Sequence, residues 1–286
     1  MSNKGRAVLV ALAICGMVHA QEYEIRLTRQ DRVGQVYDLT ASGEMTEQET
    51  VISAGRVIES RRRSLSGTLE ARGTVLAVDR HGRPCRVKLV VSRCELSPAV
   101  GQPVEVFPKG TEIVAEVEDG GQTYTVGGTE VSEQAGELLD LLISLPTSDV
   151  TDDEVFGTKE KKKIGDSWEI NRAVAAKELG VKPEQVSGAT RVETMVVVDG
   201  IPCLRLSATM EAEESGRVLR GLPVENSVTS FRFSGEFPID TSLGVLSETA
   251  RIQGEEIARK KDPTGSDLTI IRRSDLVSRS QMRYVR

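Results

Sequence analysis

Apolar and polar residues alternate through most of this chain, and that alternation is the feature that most restricts its fold. Apolar residues recur at every second position around Ile25, Val87, Ile113 and Leu204, which is the period of a strand with one buried face. Turns such as Asp119-Gly120-Gly121 separate these segments, because Gly readily adopts the positive φ that tight hairpins need. The pattern predicts a mainly β protein with antiparallel sheets.

Two segments depart from the alternation and predict helices. In residues 132–144, Ser132 stands at an N-cap position, leucines recur on one face, and Pro146 follows as a stop. In residues 171–179, Asn171 is a suitable N-cap and Gly180 is a suitable C′ residue. The first helix falls between two β-rich halves, so we expect it to connect them or to pack across a sheet face.

The two halves share a phrase. Residues 76–91 read LAVDRHGRPCRVKLVV and residues 196–208 read VVVDGIPCLRLSA, so each passes from apolar residues through Asp and Gly to Pro-Cys. Repeated order indicates a repeated structural unit, and we expect two tandem, duplicated antiparallel β-sheet units, half-barrel-like, with a connecting helix. The predicted divisions are a signal peptide (1–20), a first β unit (21–131), a helical connector (132–152), a second β unit (153–262), and a final strand with a basic tail (263–286).

The start of the chain has the pattern of an export signal. Lys4 and Arg6 precede an apolar run, and Val18-His19-Ala20 supplies a cleavage site. We therefore predict cleavage after Ala20 and a secreted or periplasmic protein. Lipidation at Cys15 is the alternative, but a large residue precedes that cysteine. No segment approaches the roughly 20 apolar residues of a membrane-spanning helix, so no transmembrane anchor is predicted.

The charge balance is acidic, with 43 Asp and Glu against 37 Lys and Arg. Nucleic acid is not a predicted partner, because phosphate binding depends on clustered basic residues. Basic runs at 61–63, 161–163 and 259–261 stand among acids and are interpreted as solvated surface. Aromatic residues make up only 3% of the chain, which leaves few candidates for stacking on a ligand.

Three cysteines remain after the predicted cleavage: Cys85, Cys94 and Cys203. They are interpreted as free, small buried side chains, with a Cys85–Cys203 disulfide as the alternative if the two halves face one another. A zinc site needs about four Cys or His ligands, or three with an open position, and only His81 could join these cysteines. No metal and no cofactor is predicted.

A short phrase in the second half, Gly165-Asp166-Ser167-Trp168, resembles exported bacterial β-rich proteins of unknown function that carry Gly-Asp-x-Trp before a strand. The resemblance covers roughly residues 155–255. It implies a secreted β module and supplies no catalytic residues. Trp168 is interpreted as a core residue, with stacking on a ligand as the alternative.

No nucleophile or nucleotide-binding motif is present, and adjacent acids are too common in this chain to identify a catalytic pair. The sequence therefore favours a non-catalytic, exported β-rich binding or structural module, with an apolar ligand or an envelope protein as the partner. The alternative is a carboxylate-dependent hydrolase of the cell envelope, which would need two carboxyl groups in one cleft.

Overall fold

The computed structural model describes residues 21–214, 218–261, 265 and 267–285. It contains one open, antiparallel sheet of 14 strands, so the prediction of a mainly β protein is confirmed. The predicted signal peptide and its cleavage site lie outside the described residues. No helix in the described part of the chain is long and apolar enough to cross a membrane.

The strands occur in two runs along the chain. The first run comprises β1 (Val36–Ser53), β2 (Arg56–Val78), β3 (Pro84–Leu96), β4 (Val104–Glu105), β5 (Glu112–Glu118), β6 (Gly121–Val126) and β7 (Thr129–Glu130). The second run comprises β8 (Ser167–Glu169), β9 (Val186–Val198), β10 (Ile201–Glu214), β11 (Val218–Leu219), β12 (Leu222–Pro238), β13 (Ser247–Lys261) and β14 (Asp267–Tyr284). Helices α1 (Glu133–Leu142) and α2 (Asp152–Val155) lie between the two runs, and helix α3 (Arg172–Leu179) and the 3₁₀ helix Pro183–Gln185 lie within the second run, between β8 and β9.

Each run forms an up-and-down meander, and the two meanders join into one sheet. The order is β7-β6-β5-β3-β2-β1-β14-β13-β12-β10-β9-β8, with β4 beside β3 and β11 beside β12. Each Pro-Cys phrase lies at the start of the third strand of its meander. Because strands that follow one another commonly pair, this shared order does not decide between duplication and coincidence, and the duplication stays a prediction.

The junction of the two meanders differs from expectation. Residues 272–286 were expected to form a basic tail, but the final strand extends to Tyr284 and lies in the centre of the sheet, between β1 and β13. Tyr37 pairs with Tyr284 at one end of the β1–β14 ladder and Ser53 with Leu268 at the other. Alternation in this strand was hidden by serines and arginines on both faces.

The two predicted helices are confirmed. The Ser132 hydroxyl caps α1 by accepting a hydrogen bond from the Ala135 amide. The side chain of Asn171 caps α3 in the same way, and Gly180 ends that helix with a φ of 69°. Helix α1 packs against β1, β2, β6 and β14, which places it across one face of the sheet, here called the inner face.

Helix α1 buries the first half of the inner face. Leu138, Leu139 and Leu142 are at most 5% exposed and join a cluster with apolar residues of β1, β2, β3 and β5. The helix comes close to the sheet at Gly43 and Gly67, where an added Cβ would clash with leucines of α1. Glycine at these positions therefore permits the helix to seal this half.

Residues 23–31, here called the strap, cover part of the second half. Tyr23, Ile25 and Leu27 are buried against Leu206 and Phe237. The strap was expected to be a strand, but it forms only one bridge, between Tyr23 and Lys162. Its alternation reflects burial of one side against a sheet face, without the hydrogen bonds of a ladder.

Two further elements cover other parts of the inner face. Ala175 and Ala176 of α3 pack against Val186 and Ala212. At the opposite end of the strands, the β11–β12 turn folds over the sheet, and Leu219 is 1% exposed against Val51, Val224, Ala258 and Ile270. The covers leave the middle of β13 and β14 between them.

Candidate functional site

Six apolar side chains lie directly opposite one another on neighbouring strands of the inner face. They share the face of Gly43 because side chains alternate along a strand. In sheet order they are Leu65 of β2, Met45 of β1, Leu276 of β14, Ile252 of β13, Phe231 of β12 and Met210 of β10. We call this set the apolar row.

The apolar row is covered at its ends and open in its middle. Leu65 is 8% exposed, and the ring of Phe231 stacks on Phe156 with centroids 5.7 Å apart. Ile252, between them, is 39% exposed. Together with its partly exposed neighbours Leu276 and Met45, Ile252 forms a contiguous apolar surface, which is a candidate contact surface for a ligand.

Small side chains continue from the row along β13 and β14. Ala250 lies opposite Ser278, and the next inner-face pair is Glu248 with Ser280. Phe233 borders Ala250 on one side, while Gly43, covered by Leu141 of α1, borders Ser278 on the other. These residues form a strip of small side chains two strands wide between Phe233 and helix α1, here called the trough, with Ile252 and Leu276 at one end and Glu248 at the other.

The Glu248 end of the trough is polar and desolvated. Burial, with a smaller effect from the negative charge of Asp152, raises the pKa of Glu248 to about 7. Desolvation also raises the pKa of Asp152 against the opposing positive charge of Arg83, and neighbouring Asp153 adds to the rise, although the Asp152 side chain is partly open to solvent. The pKa of the Tyr284 hydroxyl is raised mainly by burial as well. Near neutral pH this end therefore presents hydrogen-bond donors as well as acceptors.

The strap adds one buried and one partly buried polar group beside this end. Arg29 is 8% exposed, and its Nη2 donates to the Pro238 carbonyl at 2.9 Å. Its Nε and Nη1 have no hydrogen-bond partner among the described residues, and burial lowers its pKa. Burial raises the pKa of Asp31 to about 6, although Gln35 donates a 2.7 Å hydrogen bond to that carboxyl group.

Ion pairs lie beyond the apolar end of the trough. Four residues farther along the strands on the same face, Arg272 lies opposite both Glu49 and Glu256, with N–O distances of 3.2 Å and 3.6 Å. Arg220 from the β11–β12 turn also pairs with Glu49. The apolar row thus lies between these ion pairs on one side and the small residues and protonatable Glu248 of the trough on the other, which suits a ligand with an apolar body.

The three cysteines of the predicted mature chain are free thiols. Cys85 on β3 and Cys203 on β10 are separated by five strands, or about 29 Å along the sheet at about 4.8 Å per strand. A disulfide needs Cα atoms within about 7 Å. The structure therefore shows no Cys85–Cys203 bridge among its described residues, because the halves lie side by side in one sheet, and the thiol state stays a prediction.

Trp168 lies on β8, at the sheet edge and away from the trough. It is partly buried, and its indole N–H donates to the Phe156 carbonyl at 2.8 Å. Lys162 lies 5.8 Å from the ring centroid. These contacts give Trp168 a packing role, and a stacked ligand stays a hypothesis that no contact here tests.

The cysteines and His81 do not assemble into a site. The backbone amide of His81 donates to Asp79 in a turn at the end of β2. Within the described ranges, no three His, Cys, Asp or Glu side chains are grouped as metal ligands.

Sequence reasoning did not find the trough. Its members carry no sequence signal, since Ala250, Ser278 and Ser280 are small side chains without a charge or an aromatic ring. Only the pairing of β1 with β14 and of β13 with β12 places them beside Met45 and Phe231. Ile252 offered the one local signal, an apolar residue between the polar neighbours Arg251 and Gln253.

Comparisons with known proteins give little further information. No family model and no curated protein matches the chain. Among solved structures, a structure of lipovitellin described as showing lipid–protein interactions is similar, with a TM-score of 0.32 and 10% identity, covering 86% of this chain and 25% of that one. The chain thus spans about a quarter of lipovitellin's length, and likeness at this level carries no argument about function.

Proposed function

We propose that the protein is an exported, non-catalytic binding module that holds an apolar ligand in the trough of its inner face. The observation that supports this most directly is the apolar row, which is buried at Leu65, stacked at Phe231 and 39% exposed at Ile252. Burying such side chains against a ligand is favourable by about 25 cal/mol per Å² of apolar surface.

The shape of the trough favours a narrow ligand. Its floor is two strands wide, or about 5 Å between strand axes, with Phe233 on one side and helix α1 on the other. From Ile252 to Glu248 it extends four residues along β13, or about 13 Å. A single hydrocarbon chain fits these dimensions better than the flat surface of a partner protein.

The polar end defines the other half of the ligand. Glu248, with a pKa of about 7, is partly protonated at neutral pH and can donate as well as accept a hydrogen bond. Asp31 and Asp152 nearby would oppose a full negative charge on the ligand, whereas Nε and Nη1 of Arg29, which have no partner among the described residues, can donate hydrogen bonds to an uncharged oxygen. The proposed ligand is therefore an amphiphile with one apolar chain and an uncharged, hydrogen-bonding head.

A large side chain introduced into the trough should block ligand binding, and this is the test of the proposal. Ala250→Phe places a ring on the trough floor, whereas Thr249→Phe makes a similar change on the opposite, solvent-exposed face of β13. Titration with the neutral apolar dye N-phenyl-1-naphthylamine, followed by fluorescence, should show at least tenfold weaker binding for Ala250→Phe. The Thr249→Phe control should stay within about twofold of the unmodified chain.

Equal affinities for Ala250→Phe and Thr249→Phe would show that the dye binds elsewhere and would refute the trough as the site. No binding by the unmodified chain would refute the apolar-ligand proposal and leave a structural module.

A hydrolase is the second candidate, and the pair Glu248 and Asp152 supports it. Like charges and burial raise the pKa of both carboxyl groups, as in sites where one carboxyl acts as a general acid. We expect no turnover of nitrophenyl glycosides or esters. Turnover that is lost in both Glu248→Gln and Asp152→Asn, but retained in Glu105→Gln, would replace the binding proposal with this one.

A further inference from the structure

The end of the sheet farthest from the strap combines exposed aliphatic residues with basic ones. Here the β1–β2 turn lies beside the start of β14, since the Ala54 amide donates to the Asp267 carbonyl at 3.1 Å. Val57 and Ile58 are each 62% exposed, and Val218 of the overlying β11–β12 turn is 67% exposed. We call this region the distal tip.

Strand geometry explains the exposure of the distal tip. The β1–β2 register shifts so that Val51 pairs with Glu59 but Ile52 pairs with Val57, which leaves Ile58 in a bulge. A bulge turns side chains away from their regular positions. Arg220 then brings the β11–β12 turn across to β2 through an ion pair with Glu59, 3.1 Å between N and O. Three aliphatic side chains from two turns therefore face solvent at one end.

The charge of this end differs from that of the chain. Residues 47–63, 218–225, 255–261 and 267–273 contain ten basic and seven acidic residues, for a net charge of +3, whereas the whole chain carries −6. Four exposed basic residues there form no ion pair with any described residue: Arg56, Arg62, Lys260 and Lys261. Asp267 lies opposite Lys261 in the β13–β14 ladder.

We propose that the distal tip docks on an anionic membrane surface. Exposed aliphatic side chains can enter the interface of a bilayer, and each Lys or Arg near an anionic surface contributes about 1 kcal/mol of attraction. Charge complementarity favours an anionic membrane over a neutral bilayer. The exposed aliphatic residues favour a membrane over a partner that offers only charged groups. The inference does not depend on the trough, which lies toward the opposite end of β13 and β14.

Vesicle flotation tests the proposal with the intact chain. Binding to vesicles that contain phosphatidylglycerol should exceed binding to pure phosphatidylcholine vesicles, and it should weaken as NaCl is raised. Lys260→Glu with Lys261→Glu should reduce the affinity at least tenfold. Val57→Ser with Ile58→Ser should also reduce it, by at least threefold.

Matched changes elsewhere are the controls. Lys159→Glu with Lys161→Glu alters the net charge equally, and Val100→Ser removes an aliphatic side chain that is 91% exposed. Both should stay within about twofold of the unmodified chain. Because every altered side chain is exposed, circular dichroism melting should report a retained fold.

Three results would overturn the proposal. They are no binding of the unmodified chain to anionic vesicles, equal loss in the control and distal-tip variants, or full binding by both distal-tip variants. The first would leave a protein partner as the occupant of this end. Dye binding in the trough is measured without vesicles. Failure of the ligand-binding proposal can therefore be distinguished from failure of the membrane-docking proposal.

Discussion

Small residues occur at two places on the inner face, and they serve different purposes. Under α1, Gly43 and Gly67 are small because the helix rests on them. In the trough, Ala250 and Ser278 are equally modest in size, but they stay partly exposed. Gly43 and Ser278 even lie directly opposite each other on adjacent strands. A small residue on a sheet face therefore indicates close approach, either by the chain itself or, as we propose, by a ligand.

The largest expected difference concerns apolar side chains in the two places. Leu139→Ala should lower the free energy of unfolding by about 3 kcal/mol, as expected for a fully buried leucine, since Leu139 is 0% exposed. Ile252→Ala in the trough should lower it by less than about 1 kcal/mol. Urea denaturation followed by circular dichroism measures both, and equal losses would mean that the trough is part of the core.

The glycine and serine that face each other allow a stricter comparison. Gly43→Val should destabilise the fold by about 1–3 kcal/mol, because the added atoms meet Leu141 and overpacking is unfavourable. Ser278→Val adds similar bulk one strand away and should change the stability by less than about 0.5 kcal/mol. If Ser278→Val is as damaging, some part of the chain covers the trough.

A pH titration separates the polar end of the trough from the rest of the sheet. The pKa of Glu248 is about 7 in the folded chain, against an ordinary value of 4.5. The folded state therefore binds more protons between these values, and the stability falls as pH rises from about 4.5 to about 7. Glu248→Gln should flatten this fall, leaving the part due to Asp31, whose pKa is about 6.

The control for this titration is Glu105→Gln, a change at an exposed side chain on β4. It should leave the slope of stability against pH unaltered. A slope that persists unchanged in Glu248→Gln would contradict the burial assigned to this carboxyl group.

The smallest effect compares the two Pro-Cys phrases and involves no loss of stability. Cys85 is partly exposed, whereas Cys203 and Cys94 are 0% exposed, and burial raises the pKa of Cys94 to about 11. Ellman's reagent should therefore modify one thiol in the folded protein and three in the denatured, unreduced protein. A count of one after denaturation would instead reveal a disulfide.

Local features of the fold could be predicted from the sequence, because their causes are local. Ser132 and Asn171 cap their helices as expected, and Asp119-Gly120 makes a hairpin with positive φ at both residues. The strap shows the limit of such reasoning, since Ile25 and Leu27 alternate like a strand without forming one. Burial of one side of the strap is enough to produce the alternation of apolar and polar residues. Whether such a segment forms a strand depends on whether another strand lies beside it to accept its backbone hydrogen bonds.

The candidate site could not be predicted for a related reason. The apolar row depends on registers between strands that are far apart in sequence, such as Met45 with Leu276. Neither segment contains a signal that selects the other, and a shift of one residue would turn Leu276 to the opposite face. Periodicity identifies strands, whereas their neighbours are chosen by the packing of the whole sheet.

The central position of β14 also affects how the chain folds. Its partner β1 precedes it by roughly 200 residues or more, and contacts of such long range form slowly because a large loop must close first. Until they form, β1 presents an unpaired edge, which is prone to join other chains. Refolding yield should therefore fall as the protein concentration rises.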